Sequence, residues 1–449
     1  MGPFTKEMEV NSTRNTRKLR LSAVKAHLSE SLSGIPILGW LSGALVSVLL
    51  ERMVGTPIAH LVGLERIPVL FGVLIMLKEP LMIPGALAYV FAVYLLPAVV
   101  LAYVVAGPAN VLAEKLVRVS SGFSVLLHLA LLYAILHIWA EVSDYRLITL
   151  KLTLIAVMLT LSLNVINGYM GEFSCSHPGF MALGAYSASV ISLIFFVGFR
   201  SHGPMLPTWL APLGFPLALI LGGLVSSLGA IAVAVPSFRT RGDYLAIISL
   251  AFLFIVKSLI ENLELVGGPR GLSKQPDWAS LPVVFFWTAL CLWMINNFVR
   301  SILGKAMNAV RDDELAANAM TIDTRRTKVT AFLFAAFWAG VAGGLFAHVV
   351  RYVNPSMFGV QNLAEGLAMV YFGGLNSVYG SIVGAVSISL LGEALRPLEI
   401  FKWIIIPLLL ILVMIYRPTG LVAFKELDVL HLIRPKAKRG REGGPNASR

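Results

Sequence analysis

Residues 362–395 read NLAEGLAMVYFGGLNSVYGSIVGAVSISLLGEAL. The stretch is too long for one membrane helix, because about 20 apolar residues already cross ~30 Å of hydrocarbon. Its middle holds Gly373-Gly374-Leu375-Asn376-Ser377. Glycines followed by Asn and Ser punctuate a chain, so the stretch predicts two helices broken at Gly373 and Gly374. That break decides how often the chain crosses a membrane and on which side its tail emerges.

The composition around it is that of a membrane protein. The 449 residues are 57% hydrophobic and 13% charged, against about 45–50% and about 25% in soluble domains. So little charge cannot cover a soluble body of this size, and disorder needs high polarity. The fold class is therefore an all-α polytopic membrane protein. Apolar stretches at 34–50, 81–107, 122–140, 147–169, 179–198, 210–236, 245–263, 278–299, 329–350 and 400–416 read as further spans. Pro84 and Pro97 fall inside the second of these. The run 67–77 is about half a span and reads as interfacial or re-entrant.

Charge supplies the orientation. The chain has 36 basic and 24 acidic residues, a formal +12. In a soluble chain this would point to nucleic acid; in a membrane protein Lys and Arg gather in cytoplasmic loops. Three basic clusters stand out: residues 1–33, the loop 300–328, and the tail from Arg417. As one helix, 362–395 would send the tail out opposite the 300–328 loop. Split at the glycines, it restores parity and gives about twelve crossings, with ten to twelve helices as the range. Both termini are then expected to be cytoplasmic, with the short basic turns at Lys115/Arg118 and Arg239/Arg241 on the same side. The first 33 residues lack the layout of a signal peptide. Residues 434–449 read as a solvated basic tail. Cys175 and Cys291 lie in apolar stretches and suggest neither a disulfide framework nor a metal site.

Four segments break the apolar monotony. In 163–186, LNVINGYMGEFSCSHPGFMALGAY, polar and glycine residues sit at membrane depth. Such residues are tolerated only against protein or a wet cavity. Asn164, Gly168, Gly171, Ser174, His177, Gly184 and Tyr186 are thus candidates for a translocation pathway. Helix–helix contacts are the alternative reading of the glycines. The second segment, 239–247, holds Arg241, Gly242 and Asp243 in a basic turn. The third, 266–272, holds Gly267 and Gly268 in an external loop. The fourth, 304–323, has the Ala, Glu and Met content of a helix inside a charged loop. Its alanine face and acidic shoulder suit docking into a groove on another protein. Lys257 and Glu261 lie four apart on one face of the span 245–263, either as a mutually neutralising pair near a helix end or as part of a gate. No G-x4-G-K-[ST] pattern occurs, so the chain is not expected to bind ATP in the P-loop manner. No Ser/His/Asp or HExxH arrangement suggests an enzyme. Active transport would draw its energy from a partner or from an ion gradient.

These segments resemble the permease subunits of ATP-binding-cassette importers for branched-chain amino acids, of the LivM type. The pattern LN-x3-G-x2-G…GAY is met by 163–186, RLRGDYLAI by RTRGDYLAI at 239–247, and TGGPNGI by VGGPRGL at 266–272. The coupling pattern REDE-x-AA-x-A-x-G is met by 311–321, and the closing GG-x-GS and RP-x-GLL patterns by 373–377 and 417–421. The chain departs from the family at Thr321, Arg270, Ser176 and Phe254, where Gly, Asn, Gly and an acidic residue are usual. The likeness covers about 147–424.

The resemblance implies a LivH-type partner permease, two cytoplasmic ATPase subunits that hold ATP and Mg, and a periplasmic substrate-binding protein. It places the chain in an inner membrane, as a transport subunit and not an enzyme. Arg311, Asp312, Asp313, Glu314, Ala316 and Ala317 would meet the ATPase. Arg241, Gly242, Asp243, Lys257, Glu261, Gly267, Gly268, Gly373 and Gly374 would serve structure or gating. Residues 34–146 would form an extension of about three helices, 147–424 the permease core, and 425–449 the tail. Urea, amides or other small polar solutes are alternative cargoes. An ion-coupled transporter is a rival; it would want acidic residues deep in spans, and Glu261, Glu365 and Glu393 lie near ends or glycine breaks.

Overall fold

A computed structural model describes residues 34–64, 67–68, 82–198, 205, 207–238, 244–396, 399–417, 419–422 and 426–428. Most of the run 67–77, the turn with Arg241, Gly242 and Asp243, and both terminal segments lie outside the described residues. The chain divides into two compact units, one within the residues up to Val142 and the other spanning Ser143–Leu427.

The first unit holds α1 (Ile37–Leu61), α2 (Ile83–Val119) and α3 (Ser121–Ala140). The stretch expected to end near residue 50 continues to Leu61. Charge at Arg52 does not stop it, because Glu141 pairs with that guanidinium at 3.0 Å. The 81–107 stretch likewise runs on to Val119. Pro84 stands in its first turn, where no N–H is needed. Pro97 stands two residues past a π-helical turn at Val90–Leu95, one of the local adjustments that accommodates a missing backbone donor.

The second unit begins with α4 (Asp144–Met170) and α5 (His177–Val197), followed by α6 (Ala211–Ser237), α7 (Tyr244–Asn262) and α8 (Leu281–Arg300). Two short helices follow, α9 (Ile302–Asp312) and α10 (Glu314–Ala319). The long α11 (Thr324–Val350) precedes α12 (Val360–Gly373), α13 (Val378–Ala394) and α14 (Glu399–Tyr416). Among the described residues nine helices, α1 to α8 and α11, are long and apolar enough to cross a membrane. The shorter α13 and the part Ile404–Tyr416 of α14 are apolar as well.

The helices α5, α6 and α11 form the tightest part of the unit. A Cβ added at Gly184 would fall on the backbone of Gly340. Close backbone approach through small residues is how helices associate where lipid removes the usual hydrophobic drive. Ser226 on α6 donates to the Phe180 carbonyl of α5 at 2.8 Å. Successive helices put their connections alternately at two ends. The near end collects 171–176, 301–323 and 374–377. The far end collects 263–280 and 351–359, joined by two-residue strands β1 (Leu272–Ser273) and β2 (Tyr352–Val353) in antiparallel register.

The 362–395 stretch breaks where its glycines stand, with α12 ending at Gly373 and α13 starting at Val378. The last carbonyls of α12 do not go unmet. Phe372 and Gly373 accept from the Leu421 and Val422 N–H groups at 3.1 and 2.9 Å. The two closing motifs of the sequence therefore touch.

Candidate coupling and translocation site

Caps explain why 301–323 folds as it does. Ser301 accepts from the Gly304 N–H at the start of α9. Asp313 accepts from the Leu315 and Ala316 N–H groups at 2.9 and 3.0 Å, starting α10. Asp323 accepts from the Arg326 N–H at 2.9 Å, starting α11. Each cap satisfies donors that a helix start leaves open. The expected single helix is thus two, divided at the extended Asp313. The turn after α10 passes through Thr321 at φ 67°, so a β-branched residue takes the left-handed conformation that Gly adopts freely.

The candidate docking residues face different ways. Ala317 is buried within this chain, whereas Asp312, Asp313, Glu314 and Ala316 are exposed. Arg311 reaches Asp312 at 2.7 Å and also packs along Gly171, where a Cβ would meet its side chain. Gly171 sits at φ 74° and ends the π-helical turn Val165–Met170 of α4. Ile302 at the start of α9 and Leu315 and Met320 at α10, none of them singled out by the charge-led reading of the sequence, are the most outward apolar groups of the segment, 88%, 74% and 76% exposed.

Behind α10 lies an ion triad. Lys328 on α11 places its Nζ 2.6 Å from Glu172 and 2.9 Å from Glu314. The lysine side chain is only 10% exposed. It joins the loop after α4 to the helix that shows its face to solvent. Glu172 and Lys328 are 156 positions apart, and no spacing rule connects them.

Deeper in the near end, Asn164 holds the break between α12 and α13. Its Nδ2 donates to Ser381 Oγ at 2.7 Å and to the Ser377 carbonyl at 3.0 Å, and its Oδ1 accepts from the Asn376 N–H at 3.2 Å. A Cβ at Gly168 would collide with this clamp. Asn167 accepts from the Ser174 N–H at 3.3 Å, and Ser174 and Ser176 hydroxyls pair at 2.8 Å. The Cys175 N–H donates to Ser249 Oγ on α7 at 2.9 Å. His177, fully buried, opens α5 with its ring edge-on to Phe180, the ring centroids 5.9 Å apart. Asn164, Gly168, Gly171, Ser174 and His177 are therefore one neighbourhood. Gly184 and Tyr186 are not part of it: Gly184 makes the contact between α5 and α11, and the Tyr186 hydroxyl donates to the Val353 carbonyl at the far end.

Gly267 and Gly268, both at positive φ, shape the far-end loop. Lys257 and Glu261 pair at 3.9 Å with each side chain about a third exposed. Two far-end groups carried no sequence signal. His348 bonds the Gly344 carbonyl and Ser192 Oγ at 2.7 and 2.9 Å, and Gln275 donates to Ser189 Oγ and the Leu272 carbonyl.

Residues 145–415 match the family model described as branched-chain amino acid transport system / permease component. The chain is 32% identical over 333 residues to the high-affinity branched-chain amino acid transport system permease protein LivM of Salmonella typhimurium and, equally, of Escherichia coli. Each of these alignments covers 66% of this chain and 73% of the relative. A probable LivM of Methanocaldococcus jannaschii is 23% identical over 255 residues, 51% of this chain and 72% of the relative. No solved structure matches.

Proposed function

Since the chain belongs to the permease-component family of branched-chain amino acid transport systems, we propose that it works as one of two paired permeases moved by separate ATPase subunits. It is the permease subunit of an ATP-binding-cassette importer and a multi-pass membrane protein. A branched-chain or similar aliphatic amino acid is its cargo, handed over by a periplasmic binding protein. Two cytoplasmic ATPases carry ATP and Mg, and a LivH-type permease completes the channel. The basic clusters orient the near end and both termini toward the cytoplasm of a cell whose inner membrane holds the complex.

The observation that carries this reading is the α9–α10 segment. It offers Leu315 and Met320 outward while its rear face is fastened to the protein. Closure of the ATPases on ATP would press on that apolar face. Arg311 against Gly171 and Lys328 between Glu314 and Glu172 would pass the displacement to the 171–176 loop. That loop adjoins the neighbourhood of Asn164, which holds the α12–α13 break. The energy thus enters at one exposed helix and arrives at the buried polar neighbourhood.

Leu315→Arg tests it. A charge placed in an apolar docking face should abolish co-purification of the ATPases and substrate uptake, while membrane expression stays at the wild-type level. Retained co-purification would remove α10 from the docking role.

A further inference from the structure

A cavity of about 200 Å³ lies among α4, α12, α13 and α14, on the far-end side of the second unit. Engineered apolar cavities of about 150 Å³ already take up a benzene ring, so a small aliphatic amino acid fits the volume. One wall is apolar, formed by Ile155, Leu159, Met369 and Ile388. The other carries an ion pair: Lys402 Nζ stands 2.6 Å from Glu365 Oε1, each side chain about a quarter exposed. Asn362 Oδ1, also lining the cavity, is buried without a hydrogen-bond partner. Glu393 borders the same space but is already engaged, accepting from the Tyr145 hydroxyl at 2.7 Å and pairing with Arg396 at 3.5 Å.

We propose that this cavity is a transit site for a zwitterionic aliphatic amino acid, with the α-ammonium on Glu365, the α-carboxylate on Lys402 and the side chain against the apolar wall. The proposal rests on the importer reading above. Ionisable groups within membrane segments are costly and survive by pairing. When the cavity is empty, Glu365 and Lys402 neutralise each other. A zwitterion can slip between them and replace one pair by two, leaving no charge unmatched. A solute with a single charge would strand one partner, and breaking a shielded pair from one side is strongly unfavourable. An uncharged amide offers neither exchange. Asn362 Oδ1 supplies a spare acceptor for the ammonium. Because the pair competes with the ligand, the site holds its cargo weakly, which suits a conduit fed by a separate binding protein.

The test uses the full importer, with both permeases, the ATPases and the binding protein, in proteoliposomes. Glu365→Gln and Lys402→Met should each lower leucine uptake at least about tenfold while the variants still assemble with the partner permease and the ATPases. Independently, Ser389→Cys on the cavity wall should react with a maleimide several-fold more slowly in the presence of leucine. The carboxylic acid lacking the ammonium and the amine lacking the carboxylate should not protect it. Wild-type uptake by both neutralised variants overturns the site, as does labelling indifferent to leucine. If the neutralised variants fail to assemble, the labelling result decides. An unmodified importer that carries urea or an amide and no leucine overturns the cargo reading and this site together, whereas the variant and labelling results bear on the site alone.

Discussion

Thr321 shows how one side chain can be at odds with its backbone. Its φ of 67° closes the turn after α10, with its own N–H bonded to the Asn318 carbonyl and the Ile322 N–H to that of Ala317. An L-residue pays about 1–2 kcal/mol in this region, and a β-branched one is a marked outlier there. Gly would avoid that strain and lose about 0.5–1 kcal/mol in chain entropy. Thr321→Gly should therefore stabilise the permease by up to about 1 kcal/mol, a rise of about 1–2 °C in its melting midpoint, with uptake unchanged. A lowered midpoint would mean that the hydroxyl makes a contact that outweighs the strain. The need for Gly at this place was legible as a departure from the family pattern. The direction of Ala317 was not, because a run of small residues has no periodicity strong enough to say which alanine points inward.

Between elements, ion contacts meet at one lysine. Lys328 links α11, α10 and the loop after α4 through two carboxylates. Lys328→Met keeps the stem and removes the charge, leaving Glu172 and Glu314 facing each other. Hydrogen bonds to charged groups contribute about 1.5–3 kcal/mol, so we expect a loss of stability at the lower end of that range, because Glu314 is half exposed. Uptake should fall more than ATPase docking, since Leu315 and Met320 stay in place. Equal loss of both, seen by co-purification beside transport assays, would make the triad part of the docking face instead. At this scale the sequence was partly transparent. The break at Gly373 and Gly374 and the helical content of 304–323 follow from local chemistry; the caps Asp313 and Asp323 obey the same chemistry, yet the sequence reads as one helix there. The meeting of 373–374 with 420–422, and of Arg311 with Gly171, follows from tertiary packing that no local pattern encodes. Of the glycines of 163–186, Gly168 lies against the Asn164 clamp, Gly171 against the Arg311 side chain and Gly184 against the backbone of Gly340.

For the whole molecule, alternation of helix ends and the distribution of basic residues lead to one topology. Reporter fusions after residues 312 and 422 should fall on one side of the membrane, and fusions within 263–280 and 351–359 on the other. A fusion at 312 that reads opposite to one at 422 would mean that α12 and α13 do not both cross. Composition alone was enough for the membrane class, because 13% charge leaves too little polar surface for water. It could not say that α4 would be enclosed, with most of its length buried in protein.

The brevity of α12 has a further effect. Fourteen residues rise about 21 Å, well short of a hydrocarbon layer of ~30 Å. A crossing by so short a helix leaves one of its ends, the 355–359 turn or the 374–377 turn, at hydrocarbon depth, where polar backbone would be intolerable in lipid. Asn164 and the 420–422 segment supply the partners that water would otherwise provide. A bilayer must thin beside such a helix or be kept from it by neighbouring protein. The length of α12 thus ties this part of the permease to the thickness of its host membrane.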